Sequence, residues 1–227
     1  MPEAWRAAVL ISGRGSNLQA LIESCARPGA SALIALVLSD RADAPGLERA
    51  RAAGIPVQVL ERRRFEQREG LDHALCEILK GAGIEIVCLA GFMRILGPAF
   101  VERWRDRVLN VHPSLLPAFR GLDVHRRVLE AGVRFAGCTV HFLRAEVDAG
   151  PIIVQGVVPV HQDDTEATLA ARVLAAEHRC YPLALELVAS GRARVEDERV
   201  VLEGAKTPGG ILLNPVLSKG DVQRPGR

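Results

Sequence analysis

The sequence predicts an α/β protein: a Rossmann-like, doubly wound, mostly parallel sheet with an antiparallel C-terminal extension. Three observations carry this. Between Ala7 and Ala131, short apolar runs of strand length alternate with segments of helical period. The first run opens directly into a glycine turn and a helix, the start of a βαβ unit. Further on, the strand-like runs Gly137 to Leu143 and Ile152 to Pro159 are joined only by the acidic turn Arg144-Ala145-Glu146-Val147-Asp148-Ala149-Gly150-Pro151. That link holds no crossover helix, so the two runs are expected to pair antiparallel.

In chain order, Ala7 to Ser12 is the first strand and Gly13-Arg14-Gly15-Ser16-Asn17 breaks it, with Leu18, Leu21, Ile22 and Cys25 following at helical spacing. The glycines permit a tight turn with free backbone N–H groups. Ser16 or Asn17 can cap a helix whose positive end favours an anion. A dinucleotide fingerprint would need a third glycine where Leu18 stands, so the turn suits a phosphate monoester better; a plain tight turn is the alternative. Ala32 to Leu38 is a second strand. Gly46 to Ala53 is a helix closed by Gly54 with Pro56 beyond it, and Val57 to Leu60 is a third strand. Phe65 to Ala82 forms a long helical pattern with Leu71, Leu75, Ile78 and Leu79 on one side, and Ile86 to Ala90 is the fourth strand.

Gly91-Phe92-Met93-Arg94-Ile95-Leu96 is unusually apolar for a loop. Either it is buried under its neighbours, or it lines a slot for a flat ligand with Arg94 or Arg68 near the polar end. Val108 to Val111 is a short strand that sends Asn110 and His112 to one side, and Pro113 ends it. Open α/β sheets bind ligands at such strand mouths. Val124 to Ala131 is a short helix, and Thr165 to Ala189 a long one with Glu166 or Glu177 on its polar face. A small hairpin, Arg194 to Glu196 and Arg199 to Leu202, closes a body spanning residues 1–203. Residues 204–227 lose the pattern and read as a flexible tail with an apolar patch, Ile211-Leu212-Leu213.

Composition sets the class. With 227 residues, 48% hydrophobic and 25% charged, the chain is an ordinary globular protein. No apolar run reaches the roughly 18 residues that span a bilayer, and Met1 to Arg6 lack the shape of a secretory signal, so a cytosolic protein without membrane attachment is expected. Four cations (Lys206, Lys219, Arg224, Arg227) against one anion (Asp221) give the tail +3 of a net +2, leaving the body at −1 and arguing against a nucleic-acid platform. The run Arg62-Arg63-Arg64 reads as a solvated helix start. Five widely spaced cysteines (Cys25, Cys76, Cys88, Cys138, Cys180), without a C-x-x-C pair, argue against a disulfide framework or zinc site and read as buried thiols.

The residues placed to cooperate are Asn110, His112 and Asp148, all near strand ends that could meet at one rim. A carboxylate beside an imidazole favours the imidazolium and prepares it for proton transfer. A neutral amide donates to an oxygen that turns negative in a tetrahedral intermediate. Together they suit acyl transfer to an amine. His141, between Val140 and Phe142, and His73, His125, His161 and His178 lack partners at ligand spacing, so no metal is expected. Ser114, His112 and Asp148 make a poor triad without a G-x-S-x-G elbow.

Four segments carry a resemblance: Val9-Leu-Ile-Ser-Gly-Arg-Gly-Ser-Asn-Leu-Gln-Ala-Leu, Leu89-Ala-Gly-Phe-Met-Arg-Ile-Leu, Leu109-Asn-Val-His-Pro-Ser-Leu-Leu-Pro and Val147-Asp-Ala-Gly-Pro-Ile-Ile. From about Ala7 to Leu202 the chain resembles the phosphoribosylglycinamide formyltransferases (GAR transformylases) of the folate-dependent formyltransferase superfamily. The resemblance implies transfer of a formyl group from 10-formyltetrahydrofolate to the amine of glycinamide ribonucleotide in purine biosynthesis, with folate as co-substrate and no metal. It implies that His112 shuttles the proton, Asn110 holds the formyl oxygen and Asp148 favours the charged His112. Gly15, Ser16 and Asn17 would hold the nucleotide phosphate, with Glu177 toward its ribose or glycinamide part. Folate would lie along Met93, Arg94, Ile95 and Leu96 and against Asn110, with Arg68 near its glutamate and Arg144, Ala145, Glu146, Val147 and Asp148 around its pterin.

Two positions depart from the pattern: many members carry Asn where Arg14 stands, and some carry His where Asp123 stands. Expected partners are these small molecules, for a monomer or homodimer. The rivals are a methionyl-tRNA formyltransferase, a formyltetrahydrofolate hydrolase and a non-catalytic nucleotide-binding Rossmann module. The first two should bring an extra domain, and the third gives no reason for Asn110, His112 and Asp148 to coincide.

Overall fold

The computed structural model describes residues 3–215 except 62, 64, 66, 205, 207 and 208. The readings made on Met1, Pro2, Arg62, Arg64, Lys219, Asp221, Arg224 and Arg227 lie outside the described residues, as does most of the tail.

Most of the apolar runs become strands covered on both faces, which is why they show no alternation, while the edge strand Val57–Val59 keeps Gln58 exposed. The strands are β1 (Trp5–Ile11), β2 (Ala32–Ser39), β3 (Val57–Val59), β4 (Ile86–Leu89) and β5 (Val108–His112). Two more, β6 (Phe135–Phe142) and β7 (Ile152–Pro159), complete a seven-stranded sheet in the order β3-β2-β1-β4-β5-β6-β7. Neighbours from β3 to β5 run parallel, while β5–β6 and β6–β7 are antiparallel. Between β1 and β4 the winding reverses, and the crevice at their C-terminal ends is where open α/β sheets take ligands.

Helices cover both faces. On one lie α1 (Ser16–Cys25), α2 (Gly46–Ala52), α5 (Val124–Glu130) and α6 (Glu166–Ala189), packed on Ala7, Val9 and Ile11. On the other lie α3 (Arg68–Gly81) and α4 (Pro98–Arg103), packed on Ala8 and Leu10. The period-2 alternation of β1 thus feeds two separate cores. Tyr181 of α6 is fully buried, and its hydroxyl lies 3.0 and 2.9 Å from the carbonyl oxygens of Leu89 and Leu109, to which it donates. One side chain therefore fastens α6 under β4 and β5 just before the site begins. The hairpin of β8 (Ala193–Glu196) and β9 (Arg199–Leu202) pairs only with itself.

The structure differs from the sequence reading in places. The N-cap of α1 is Gly15, and neither Ser16 nor Asn17 caps the helix with its side chain. The helix expected from Phe65 begins at Arg68. Helix α4 had no counterpart, because six residues are too few for a period to show, although Pro98 sits in its first turn as proline prefers. Arg63 is exposed and paired with Glu61 at 2.7 Å. In the tail, Ile211, Leu212 and Leu213 are exposed, while Asn214 donates to the Val160 carbonyl at 3.2 Å. Among the described residues no helix is long and apolar enough to cross a membrane.

Candidate active site

The glycine turn after β1 is built by close approach. Gly15 has φ 70°, a left-handed conformation that costs an L side chain about 1–2 kcal/mol. A Cβ there would stand 2.8 Å from the Cα of Gly46. Gly46 N–H donates to the Gly13 carbonyl at 3.0 Å, and Arg49 Nε to the Arg14 carbonyl at 3.0 Å, so α2 clamps the turn from outside. From the other side, Met93 N–H donates to Ser12 Oγ at 2.9 Å and joins the turn to the loop after β4. Gly15, Ser16, Asn17, Gly91 and Met93 line a cavity of about 300 Å³ at the positive end of α1.

Beneath this turn, Asn17 Nδ2 donates to Glu177 Oε2 at 2.7 Å, and Asn17 Oδ1 is buried without a partner among the described residues. Glu177 is itself buried and does not lie on the polar face of α6, where the sequence placed it. Burial pushes its carboxyl up, against the lowering effect of the Asn17 hydrogen bond. Glu166 is exposed at the start of α6.

Asn110, His112 and Asp148 meet at one rim. Alternation on β5 puts the first two on the same side, and the β6–β7 turn brings the carboxylate across. His112 Nδ1 is 3.3 Å from Asp148 Oδ2 and its Nε2 is 3.0 Å from the Phe119 carbonyl oxygen. Both neighbours are acceptors, and only an imidazolium donates to both at once. Asp148 sits at φ 53° with its side chain 9% exposed, and Oδ2 also accepts from Gly121 N–H at 2.9 Å.

A fourth residue belongs here. His141 is buried on β6, directly opposite Asn110 in the antiparallel register. Its Nδ1 lies 3.0 Å from the Phe142 carbonyl oxygen, so that nitrogen carries the proton. The bare Nε2 then accepts from Asn110 Nδ2 at 3.2 Å. Burial lowers the His141 pKa, outweighing the raising effects of the Phe142 carbonyl and of Asp148, and keeps the ring neutral. One amide N–H of Asn110 is occupied by His141, which leaves the second for an oxygen in the cleft. The sequence reading passed over His141 because its neighbours in the chain are apolar; its partner stands on the adjacent strand, and the β5–β6 pairing was the signal.

Ile95, Leu96, Ala145 and Val147 line, with Asn110 and Asp148, a second cavity of about 130 Å³. The charged residues expected around it are held elsewhere. Arg94 lines its rim, but Arg94 Nε donates to the buried Asp40 at 2.6 Å. The Arg144 guanidinium donates to Asp106 and Glu198, each at 2.7 Å, so its side chain ties the 144–151 turn to the hairpin and only borders the cleft. Glu146 is exposed and pairs with Arg120 at 2.8 Å. Met93 faces the glycine-turn cavity, and Arg68 lies exposed at the start of α3 beside Gly97. Asp123, with φ 55°, precedes α5.

A doubly wound sheet that gathers the amide of Asn110, the imidazole of His112 and the carboxylate of Asp148 at the end of β5 suits a group-transfer enzyme. The chain belongs to the formyl transferase family, whose sequence model matches residues 5–185. Within it, the chain is similar to the phosphoribosylglycinamide formyltransferase of Escherichia coli (strain K12), at 46% identity over 200 residues, covering 88% of this chain and 94% of that protein. The crystal structure of glycinamide ribonucleotide transformylase 1 from Symbiobacterium toebii superposes with a TM-score of 0.87 at 48% identity, over 89% of this chain and 96% of that one. The trifunctional purine biosynthetic protein adenosine-3 of Bos taurus is 52% identical over 194 residues, 86% of this chain, and this chain spans 19% of that protein's length.

Proposed function

We propose that this chain transfers the formyl group of 10-formyltetrahydrofolate to the amine of glycinamide ribonucleotide, giving the formylated ribonucleotide and tetrahydrofolate in purine biosynthesis. The observation that carries this is that one cavity lies at the N-terminus of α1, while Asn110 and Asp148 line a separate, largely apolar one with His112 3.3 Å from Asp148. The first suits a phosphate, held by Gly15, Ser16 and Asn17 with Glu177 beneath them. The second suits the flat folate, against Ile95, Leu96 and the Ala145–Asp148 turn; Arg68 is exposed at the start of α3, and Met93 borders the first cavity.

The amine nitrogen attacks the formyl carbon and an electron pair moves onto the formyl oxygen, where the free N–H of Asn110 donates. Neutral His112 takes the proton from the attacking nitrogen. The resulting imidazolium is the form that both Asp148 and the Phe119 carbonyl stabilise. With Nδ1 on Asp148, Nε2 exchanges the proton by giving up its contact with the Phe119 carbonyl, and it returns the proton to the folate nitrogen as the carbon–nitrogen bond breaks. Holding both substrates at one rim makes the attack effectively unimolecular. We assign the activity to residues 1–203, acting in the cytosol on small molecules as a monomer or homodimer; residues 204–227 contribute none of the named site residues.

Mass spectrometry of the ribonucleotide tests the reading. Incubated with 10-formyltetrahydrofolate, the ribonucleotide is expected to gain one formyl group while an equal amount of tetrahydrofolate is released. Release of tetrahydrofolate without the ribonucleotide would point to a hydrolase, and neither product would point to a binding module; either outcome sinks the proposal.

A further inference from the structure

We infer that Cys138 and Cys180 form a reversible oxidisable pair, a disulfide site that closes between β6 and α6. Their 42-residue separation in sequence hides the pair, but the fold brings the two thiols to one glycine. Cys138 pairs with Gly156 across the β6–β7 ladder. A Cβ built on Gly156 would stand 2.7 Å from Cys180 Sγ and 3.4 Å from Cys138 Sγ. The missing side chain is thus the space both sulfurs border.

The pair is asymmetric. Cys138 is fully buried, whereas Cys180 keeps 8% of its surface. The adjacent Cys138 thiol, with help from Arg179, lowers the Cys180 pKa, and the Cys180 thiol, followed by burial, raises that of Cys138. Burial also raises Cys25, to about 11, and Cys88. Cys180, the more exposed of the two, is therefore the thiol that an oxidant reaches first. A peroxide is an oxidant small enough to reach it. The Cys180 thiolate attacks one peroxide oxygen, the O–O bond breaks, hydroxide leaves and Cys180 becomes a sulfenic acid. The Cys138 sulfur then attacks Cys180 Sγ, the S–O bond breaks, and the Cys138 proton leaves with the oxygen as water. In sum two thiols and one hydrogen peroxide give one disulfide and two waters.

Glu177 stands one helical turn before Cys180, so the cross-link also fixes the segment of α6 that holds Asn17. That consequence rests on the proposed ribonucleotide site; the disulfide itself does not. The test treats the full chain with hydrogen peroxide, blocks remaining thiols with iodoacetamide and maps peptides without reduction. The expected result is a linked peptide pair containing Cys138 and Cys180, two hydrogens lighter than the thiols, which dithiothreitol separates. In Cys138→Ser, the sulfenic acid on Cys180 should persist and be trapped by dimedone. Recovery of both cysteines as alkylated thiols, or conversion of Cys180 in the native chain to sulfinic acid with no cross-link, overturns the inference. A cross-link that leaves the KM for ribonucleotide unchanged removes only its coupling to Glu177.

Discussion

Replacing His141 by alanine tests whether a neutral, buried histidine aims the amide of Asn110. Two neutral hydrogen bonds disappear, one to Asn110 and one to the Phe142 carbonyl. The first is the one that orients the amide, and such a bond contributes about 0.5–1.5 kcal/mol. If that energy holds the productive rotamer, kcat falls about 2- to 12-fold. This is less than the roughly 10²- to 10³-fold expected for Asn110→Ala, which removes the oxyanion donor itself. KM values for both substrates should stay close to the wild type. A double-mutant cycle sharpens the point: if His141 acts only through Asn110, then Asn110→Ala with His141→Ala is no slower than Asn110→Ala alone. The assay is tetrahydrofolate release at saturating substrates, on protein whose fold is verified by urea melting, since the truncation removes about 2–3 kcal/mol of stability. Wild-type kcat in His141→Ala, or losses that multiply in the double variant, would refute the positioning role.

Three further outcomes follow from the same geometry. Gly15→Ala must place a methyl 2.8 Å from Gly46 Cα at φ 70°, so it should raise the KM for ribonucleotide at least about tenfold (about 1.4 kcal/mol) while leaving that for folate nearly unchanged; equal rises in both would contradict a phosphate role. Asp164 accepts from His161 N–H, Thr168 Oγ1 and both terminal nitrogens of Arg172, all within 2.8 Å, at the start of α6. Asp164→Ala should therefore lower the unfolding free energy by about 2–3 kcal/mol in urea, and a loss below about 0.5 kcal/mol would show the cluster to be dispensable. Stability should also fall as pH drops below about 6.5. Burial lowers His125, His141 and His178, so the unfolded chain binds protons first and the stability present above the ordinary histidine value is lost as pH falls toward the folded values. The carboxyls of Glu177 and Asp72, both raised by burial, act in the opposite sense, favouring the fold at low pH and costing stability as pH rises through their folded values. Urea midpoints at pH 7.5, 6.0 and 5.0 should decline with three lowered histidines against two raised carboxyls, and a flat profile would contradict this balance.

Strand and helix identities were legible because buried parallel strands print as unbroken apolar runs and the helices between them as periods. The sheet extension was legible too, since eight residues between two runs leave no room for a crossover. Long charged side chains were not. Arg94 and Arg144 stand in segments that border the cleft, yet carboxylates more than 35 residues away, Asp40 for one and Asp106 and Glu198 for the other, decide where their guanidinium groups go. Glu177 was assigned to a polar face because helical spacing cannot show that Asn17, on another element, provides a buried partner. His141 and the Cys138–Cys180 pair were missed for one reason. Each depends on a neighbour from another element, supplied for His141 by the β5–β6 register and for the cysteines by the packing of α6 against β6 and β7.

The central claim is that Asn110, His112 and Asp148 work as one unit on a formyl group passing between folate and an amine. Its most direct measurement is the kcat of tetrahydrofolate release, in the presence of glycinamide ribonucleotide, for Asn110→Ala, His112→Ala and Asp148→Ala beside the wild type. The account expects wild-type turnover that requires the ribonucleotide and losses of about 10²-fold or more in each variant. Full turnover by His112→Ala would contradict it.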